Sequence, residues 1–206
     1  DGIRDIGVTG VQTCALPICE LCVQNIETGE IVDSDPTIQC YGSVQWGSDD
    51  ETVFYMKMDD QQRPFQLYRR KIGSNRKADD EDELLFQEDD ELFWLHFTKS
   101  FDGKYIFVHS GSKETSETQF LDLSDPNSKL QCVAKRRKKV LYNVRHRAGC
   151  WYITTNVGGT PNMRLMVSPA VADSEDQWAD MVDAKNNGEP LFDGGKCLEN
   201  DVHEWA

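Results

Sequence analysis

Leu92-Phe93-Trp94-Leu95-His96-Phe97-Thr98-Lys99, then Ser100-Phe101-Asp102-Gly103-Lys104, then Tyr105-Ile106-Phe107-Val108-His109-Ser110, is the stretch that decides the fold. The two outer runs are rich in aromatic and β-branched residues, which suit a pleated, half-buried surface. The five residues between them hold Asp and Gly, which favour a tight turn. Residues 118–123 and 131–133 continue the pattern with a third and a fourth short apolar run. The unit is therefore four short strands joined by turns.

The same order appears on both sides. Upstream, residues 43–46, 52–57, 65–72 and 84–86 form one copy, with a turn at Gly47-Ser48-Asp49-Asp50-Glu51. Downstream, residues 142–146, 150–156, 163–167 and 189–192 form another, with a turn at Arg147-Ala148-Gly149. Second strands begin near Thr52, Tyr105 and Trp151, at offsets of 53 and 46. A four-stranded repeat of about 40–50 residues is the pattern of β-propeller blades. The expectation is an all-β fold: a partial β-propeller of about three four-stranded antiparallel blades plus part of another. Residues 21–26 and 31–32 supply the preceding outer strands, and 202–205 begin a further blade. The chain is thus expected to begin and end inside a blade. Residues 177–184 are the one place where a short helical turn is expected. Trp46, Trp94 and Trp151 are expected in the core between blades.

Composition narrows the class. Hydrophobic residues make up 38% of the 206, enough for a core despite a net charge of -14. No apolar run approaches the ~18 residues of a membrane span, and no basic-apolar-small leader pattern is present. Nine acidic residues between Asp79 and Glu91 repel phosphate, which argues against nucleic acid. They read as a solvated loop. The basic run Lys135-Arg136-Arg137-Lys138-Lys139 falls between two strand patterns and reads as an exposed turn. Seven irregularly spaced cysteines fit a reduced, cytoplasmic chain better than a disulfide framework. Cys40, Cys132, Cys150 and Cys197 read as small buried apolar residues.

Residues 1–18 stand apart. Val8-Thr9-Gly10-Val11-Gln12-Thr13-Cys14-Ala15-Leu16-Pro17-Ile18 resembles the conceptual translation of a short-read sequencing adapter. The expected division is therefore 1–18 as an artefact without structure and 19–206 as propeller. This removes the C-x4-C-x2-C spacing of Cys14, Cys19 and Cys22 as an iron–sulfur or redox signal, because it straddles the junction.

No motif for chemistry remains. Acyl transfer on an α/β-hydrolase needs a serine in Gly-x-Ser-x-Gly at a strand-to-helix elbow, and no such pentapeptide occurs. His96, His109 and His146 fall on or beside strands and read as structural or exposed. His203-Glu204 opens a His-Glu-x-x-His pattern that the chain does not complete. There is no phosphate loop and no calcium loop. No catalytic, cofactor-binding or metal-binding residue is assigned, and no cofactor.

Three segments resemble the propeller of oligopeptidase B, a serine peptidase of the prolyl oligopeptidase superfamily. They are Arg63-Pro64-Phe65-Gln66-Leu67-Tyr68, the hairpin His109-Ser110-Gly111-Ser112-Lys113-Glu114-Thr115-Ser116-Glu117, and His146-Arg147-Ala148-Gly149 with Tyr152-Ile153-Thr154-Thr155-Asn156 and Asn162-Met163-Arg164-Leu165. The resemblance covers residues 20–195 in order. The acidic insert at 79–83 is longer than the family pattern, and the tail after Lys196 matches poorly. The resemblance implies a serine-type oligopeptidase cleaving short peptides after Arg or Lys. Its propeller would gate the active site, and its triad would lie in a C-terminal α/β-hydrolase domain absent from this chain. The implied partners are that domain and short basic peptides, with no nucleic acid and no membrane. The other reading the repeat allows is a non-enzymatic propeller that binds proteins.

Overall fold

The computed structural model describes residues 6–8, 18–73, 81–147, 149–160, 162–169 and 178–181. Fourteen strands and no helix are found among them. The strands are β1 (Ile6–Val8), β2 (Ile18–Asn25), β3 (Ile31–Trp46), β4 (Thr52–Met58), β5 (Pro64–Lys71) and β6 (Glu83–Gln87). They continue with β7 (Trp94–Lys99), β8 (Tyr105–Gly111), β9 (Ser116–Asp122) and β10 (Gln131–Ala134). The last four are β11 (Tyr142–Arg147), β12 (Cys150–Thr155), β13 (Arg164–Pro169) and β14 (Ala179–Asp180).

They form three sheets, each running from strand to adjacent strand: β1 to β6, β7 to β10 and β11 to β14. The pairings are antiparallel, so each sheet is built from hairpins. The expected turns close them. Ser100 N–H donates to Tyr105 O at 2.8 Å, and Gly103 takes φ +73°, a conformation that favours glycine. The Gly47 turn is held by Asp49, which accepts from the N–H groups of Glu51 and Thr52 and from the Thr52 hydroxyl.

Two compact units are present: Asp1–Phe97 with Leu123–Lys129, and Thr98–Asp122 with Leu130–Ala206. In the first, Leu21, Val23, Ile38, Cys40, Val53, Tyr55 and Ile72 pack together, with Tyr55 stacked on Tyr68 at 5.5 Å. In the second, Trp151 is fully buried and meets Tyr105, Phe107 and Phe120 with ring centroids 5.1–5.4 Å apart.

Several expectations change. Residues 31–32 and 43–46 are not separate strands: both lie in the 16-residue β3, which pairs with β2 along its first part and β4 along its last. The helical turn at 177–184 is replaced by β14, which pairs with Met166 and Val167. Trp178 inserts into the core beside Tyr142, and Asp180 pairs with Arg164 at 3.2 Å, so burial overrides the weak helical pattern. Trp151 is core as expected and Trp46 packs against core. Trp94 is 53% exposed, because alternation along β7 turns Leu95 and Phe97 inward instead. Cys40 is a buried free thiol, Cys22 and Cys132 are half-buried free thiols, and Cys150 is disulfide-bonded rather than reduced. The expected strand at 189–192, the start of a blade at 202–205, His203, Cys197 and most of 1–18 lie outside the described residues; the described part of 1–18 is not structureless as expected, since Ile6–Val8 forms β1 against β2 and Ile18 opens β2.

Candidate functional site

The nearest approach to a hydrolytic triad is Ser100, Asp102 and His146. The Ser100 hydroxyl donates to Asp102 Oδ1 at 2.8 Å, and Asp102 Oδ2 lies 2.9 Å from His146 Nδ1. That second contact is an ion-pair distance without hydrogen-bond alignment, since Nδ1 has no hydrogen-bond partner. The connectivity is wrong for acyl transfer. A nucleophilic serine must give its proton to the imidazole, whereas Ser100 gives its proton to the carboxylate. His146 Nε2 is buried and also without a hydrogen-bond partner. Its ring is packed edge-on between Tyr105 (4.7 Å) and Trp151 (5.2 Å). Burial pushes the Asp102 carboxyl up, but Ser100, His146 and the Lys104 N–H outweigh it and hold the group below the usual range. The trio anchors the β7–β8 turn to β11.

His96 is exposed on β7, and His109 Nδ1 lies 3.1 Å from Thr118 Oγ1. Cys132 is a poor nucleophile: burial, then the Glu117 charge, push its thiol up to about 11. Among the described residues no group of three or more His, Cys, Asp or Glu is placed to hold a metal ion. No helix among them is long and apolar enough to cross a membrane.

What the second unit does contain is a polar clasp between β9 and the segment entering β11. Four consecutive residues each take one or more partners. The Thr115 hydroxyl accepts from Lys139 N–H, and Ser116 N–H donates to Val140 O. Ser116 Oγ donates to Tyr142 O and accepts from Tyr142 N–H. Glu117 accepts from Arg136 N–H at 2.9 Å, and Thr118 N–H donates to the Tyr142 hydroxyl, which donates to Ala134 O. Asn156 completes it, accepting from Leu141 N–H and donating to Lys139 O. The sequence marked 109–117 as a motif without a role; its Thr-Ser-Glu end is this clasp. An open cavity of about 310 Å³ sits beside it, lined by His109, Ser116, Tyr142, Asn143, Thr154 and Met163 among others. The Ser116 and Tyr142 hydroxyls there are already committed to the clasp.

The first unit uses buried arginines. Arg63 donates to Asp59 Oδ2 and to the carbonyls of Glu88, Asp90 and Phe93, tying the β4–β5 turn to the segment before β7. Arg70 forms a bidentate pair with Asp33 (2.8 and 2.9 Å) and meets Asp82 at 3.0 Å, which also accepts from the Tyr55 hydroxyl. Burial opposes its charge, and these carboxylates more than restore it, so its pKa is raised. The acidic run is therefore not the purely solvated loop expected. β6 interrupts it, Asp82 and Glu83 pair with Arg70 and Arg69, and Glu88 is buried.

One six-stranded and two four-stranded antiparallel sheets follow one another along the chain, each running from strand to adjacent strand, and they match part of a β-propeller. The chain belongs to the family described as prolyl oligopeptidase, N-terminal beta-propeller domain, whose model matches residues 11–188. That family is one of the S9 serine peptidases. The chain is 40% identical over 148 residues to Protease 2 of Moraxella lacunata, covering 71% of this chain and 21% of that protein. It is 27% identical over 177 residues to dipeptidyl aminopeptidase BI of Pseudoxanthomonas mexicana, covering 83% and 24%. It thus spans less than a quarter of the length of either relative. Among solved structures it resembles oligopeptidase B from Leishmania major, with TM-score 0.75 and 26% identity over 85% of this chain and 24% of that one. It also resembles oligopeptidase B from Trypanosoma brucei, with TM-score 0.65 and 25% identity over 86% and 27%.

Proposed function

We propose that this chain is part of the gating propeller of a serine-type oligopeptidase that cleaves short peptides after Arg or Lys. The observation that carries this is the likeness to Leishmania oligopeptidase B over 85% of the chain. The triad would come from a C-terminal α/β-hydrolase domain of the same polypeptide, because Ser100, Asp102 and His146 are wired as an anchor. On this reading the chain alone is inactive, the whole protein acts in the cytoplasm on short peptides, and this chain contributes a steric limit on substrate size. Residues 1–18 are adapter-derived and 19–206 are propeller.

The test is to extend the reading frame, express the full-length protein, and assay peptide amides ending in Arg, Lys or Pro. Hydrolysis after Arg and Lys, abolished by a serine-directed inhibitor and absent from the 206-residue chain, is the expected result. Preference for Pro would overturn the specificity. A complete frame without a hydrolase domain would replace the enzyme with a protein-binding propeller. Uptake of folded proteins at the rate of short peptides would overturn the gating role.

A further inference from the structure

We propose that Lys135-Arg136-Arg137-Lys138-Lys139 is a latent cleavage site for trypsin-class serine endopeptidases, closed by the clasp from β9 and Asn156. The run offers five successive basic residues, four of them exposed, in the connection between β10 and β11. Exposed connections of this kind are the preferred places for proteolytic nicking. Cleavage adds water across one peptide bond: the carbonyl carbon takes the hydroxyl, and the amide nitrogen leaves as an amine with the proton.

Closure is conformational rather than steric. Val140 N–H donates to Arg137 O at 3.0 Å, folding the run into a turn, and Lys139 sits at φ +65°. That value is uncommon for a residue other than glycine and is far from the extended backbone a peptidase groove pairs with. Each end of the turn is pinned from outside. Glu117 accepts from Arg136 N–H and lies 3.7 Å from its guanidinium, Thr115 Oγ1 accepts from Lys139 N–H, and Asn156 Nδ2 donates to Lys139 O. Cleavage must therefore wait for the turn to open, and its rate follows the population of the open form. Lys104 and Lys113 lie in hairpin turns outside the clasp and serve as internal references.

Limited trypsin digestion of the full-length protein, with fragments mapped by mass spectrometry, tests the closure, and a parallel incubation without trypsin separates any self-cleavage by the proposed peptidase. In the unaltered chain, cuts at Lys104 or Lys113 are expected before any in the 135–139 run. Asn156→Ala and Thr115→Val should each speed cutting within the run roughly five- to tenfold, with the reference sites unchanged. Glu117→Gln, which keeps an acceptor for Arg136 N–H, should have a smaller effect in the same direction. First cleavage of the unaltered chain within the run would overturn the proposal. So would unchanged cutting in the variants, or acceleration that is uniform over all basic sites, because the run would then have no closure of its own.

Discussion

The two units bury different chemistry in the same kind of sheet. In the first, Arg63 and Arg70 are 6% and 3% exposed, and Asp33, Asp59 and Asp82 accept from them, while the adjoining apolar cluster is built from medium-sized side chains around Tyr55. In the second, the interior is an aromatic group centred on Trp151, with neutral hydroxyls of Ser116 and Tyr142 closing the edge. Removing one partner of a buried ion pair strands the other charges. Removing a large ring leaves a void instead. The first unit should therefore be sensitive to pH and to charge deletion, the second to lost volume.

Trp151→Ala should have the largest effect, about 4 kcal/mol, because the ring is fully buried against three others. Urea unfolding followed by hydrogen exchange in β8, β9 and β12 would measure it, and a loss under about 1 kcal/mol would break the contrast. Arg70→Ala should cost about 3 kcal/mol, since Asp33, Asp35 and Asp82 all lose their guanidinium. Exchange in β4 and β5 would report it. Adding Asp33→Asn and Asp82→Asn to Arg70→Ala should recover part of the loss if stranded charge is the cause.

Tyr142→Phe comes next, at about 1.5 kcal/mol, because it strands the Thr118 N–H and the Ala134 carbonyl without changing the ring packing. Differential scanning calorimetry should show a lowered transition, and an unchanged one would mean the clasp is ornamental. The smallest effect concerns acid. Burial raises the Asp59 carboxyl, but the Arg63 side chain and the N–H groups of Arg63 and Gln61 outweigh it and hold it below 3.8. A lowered folded pKa contributes stability that is complete above the unfolded value and fades as pH falls through the folded one. Asp59→Asn should flatten the urea midpoint of the first unit below about pH 4 and leave its slope above about pH 6 alone. Asp102→Asn should do the same, more weakly, in the second.

The order of strands was legible in the sequence because alternation and turn residues are local signals. The Gly47 and Gly103 turns fall where Asp, Gly and Ser predict them. β14 was not legible: two residues carry no period, and only the burial of Trp178 and the Arg164–Asp180 pair select it. Trp94 was misread because composition says that tryptophan is usually inside, while its register on β7 says which side it faces. The clasp was not legible, since most of its partners lie 15 to 26 residues apart and are brought together only by adjacent sheets.

One consequence of the clasp reaches beyond substitutions. Thr115, Ser116, Glu117 and Thr118 each hold partners at a fixed step along the chain, with Ser116 gripping both backbone groups of Tyr142. Such an arrangement has no slack in length. Deleting or inserting one residue there turns every side chain to the opposite face and dissolves all the contacts together. Ser112 is tied to Thr115 by its N–H and its hydroxyl, which leaves only the exposed Lys113-Glu114 tip outside these contacts. Natural length variation, and any loop grafted by design, should therefore collect at 113–114 and be excluded from the four positions that follow.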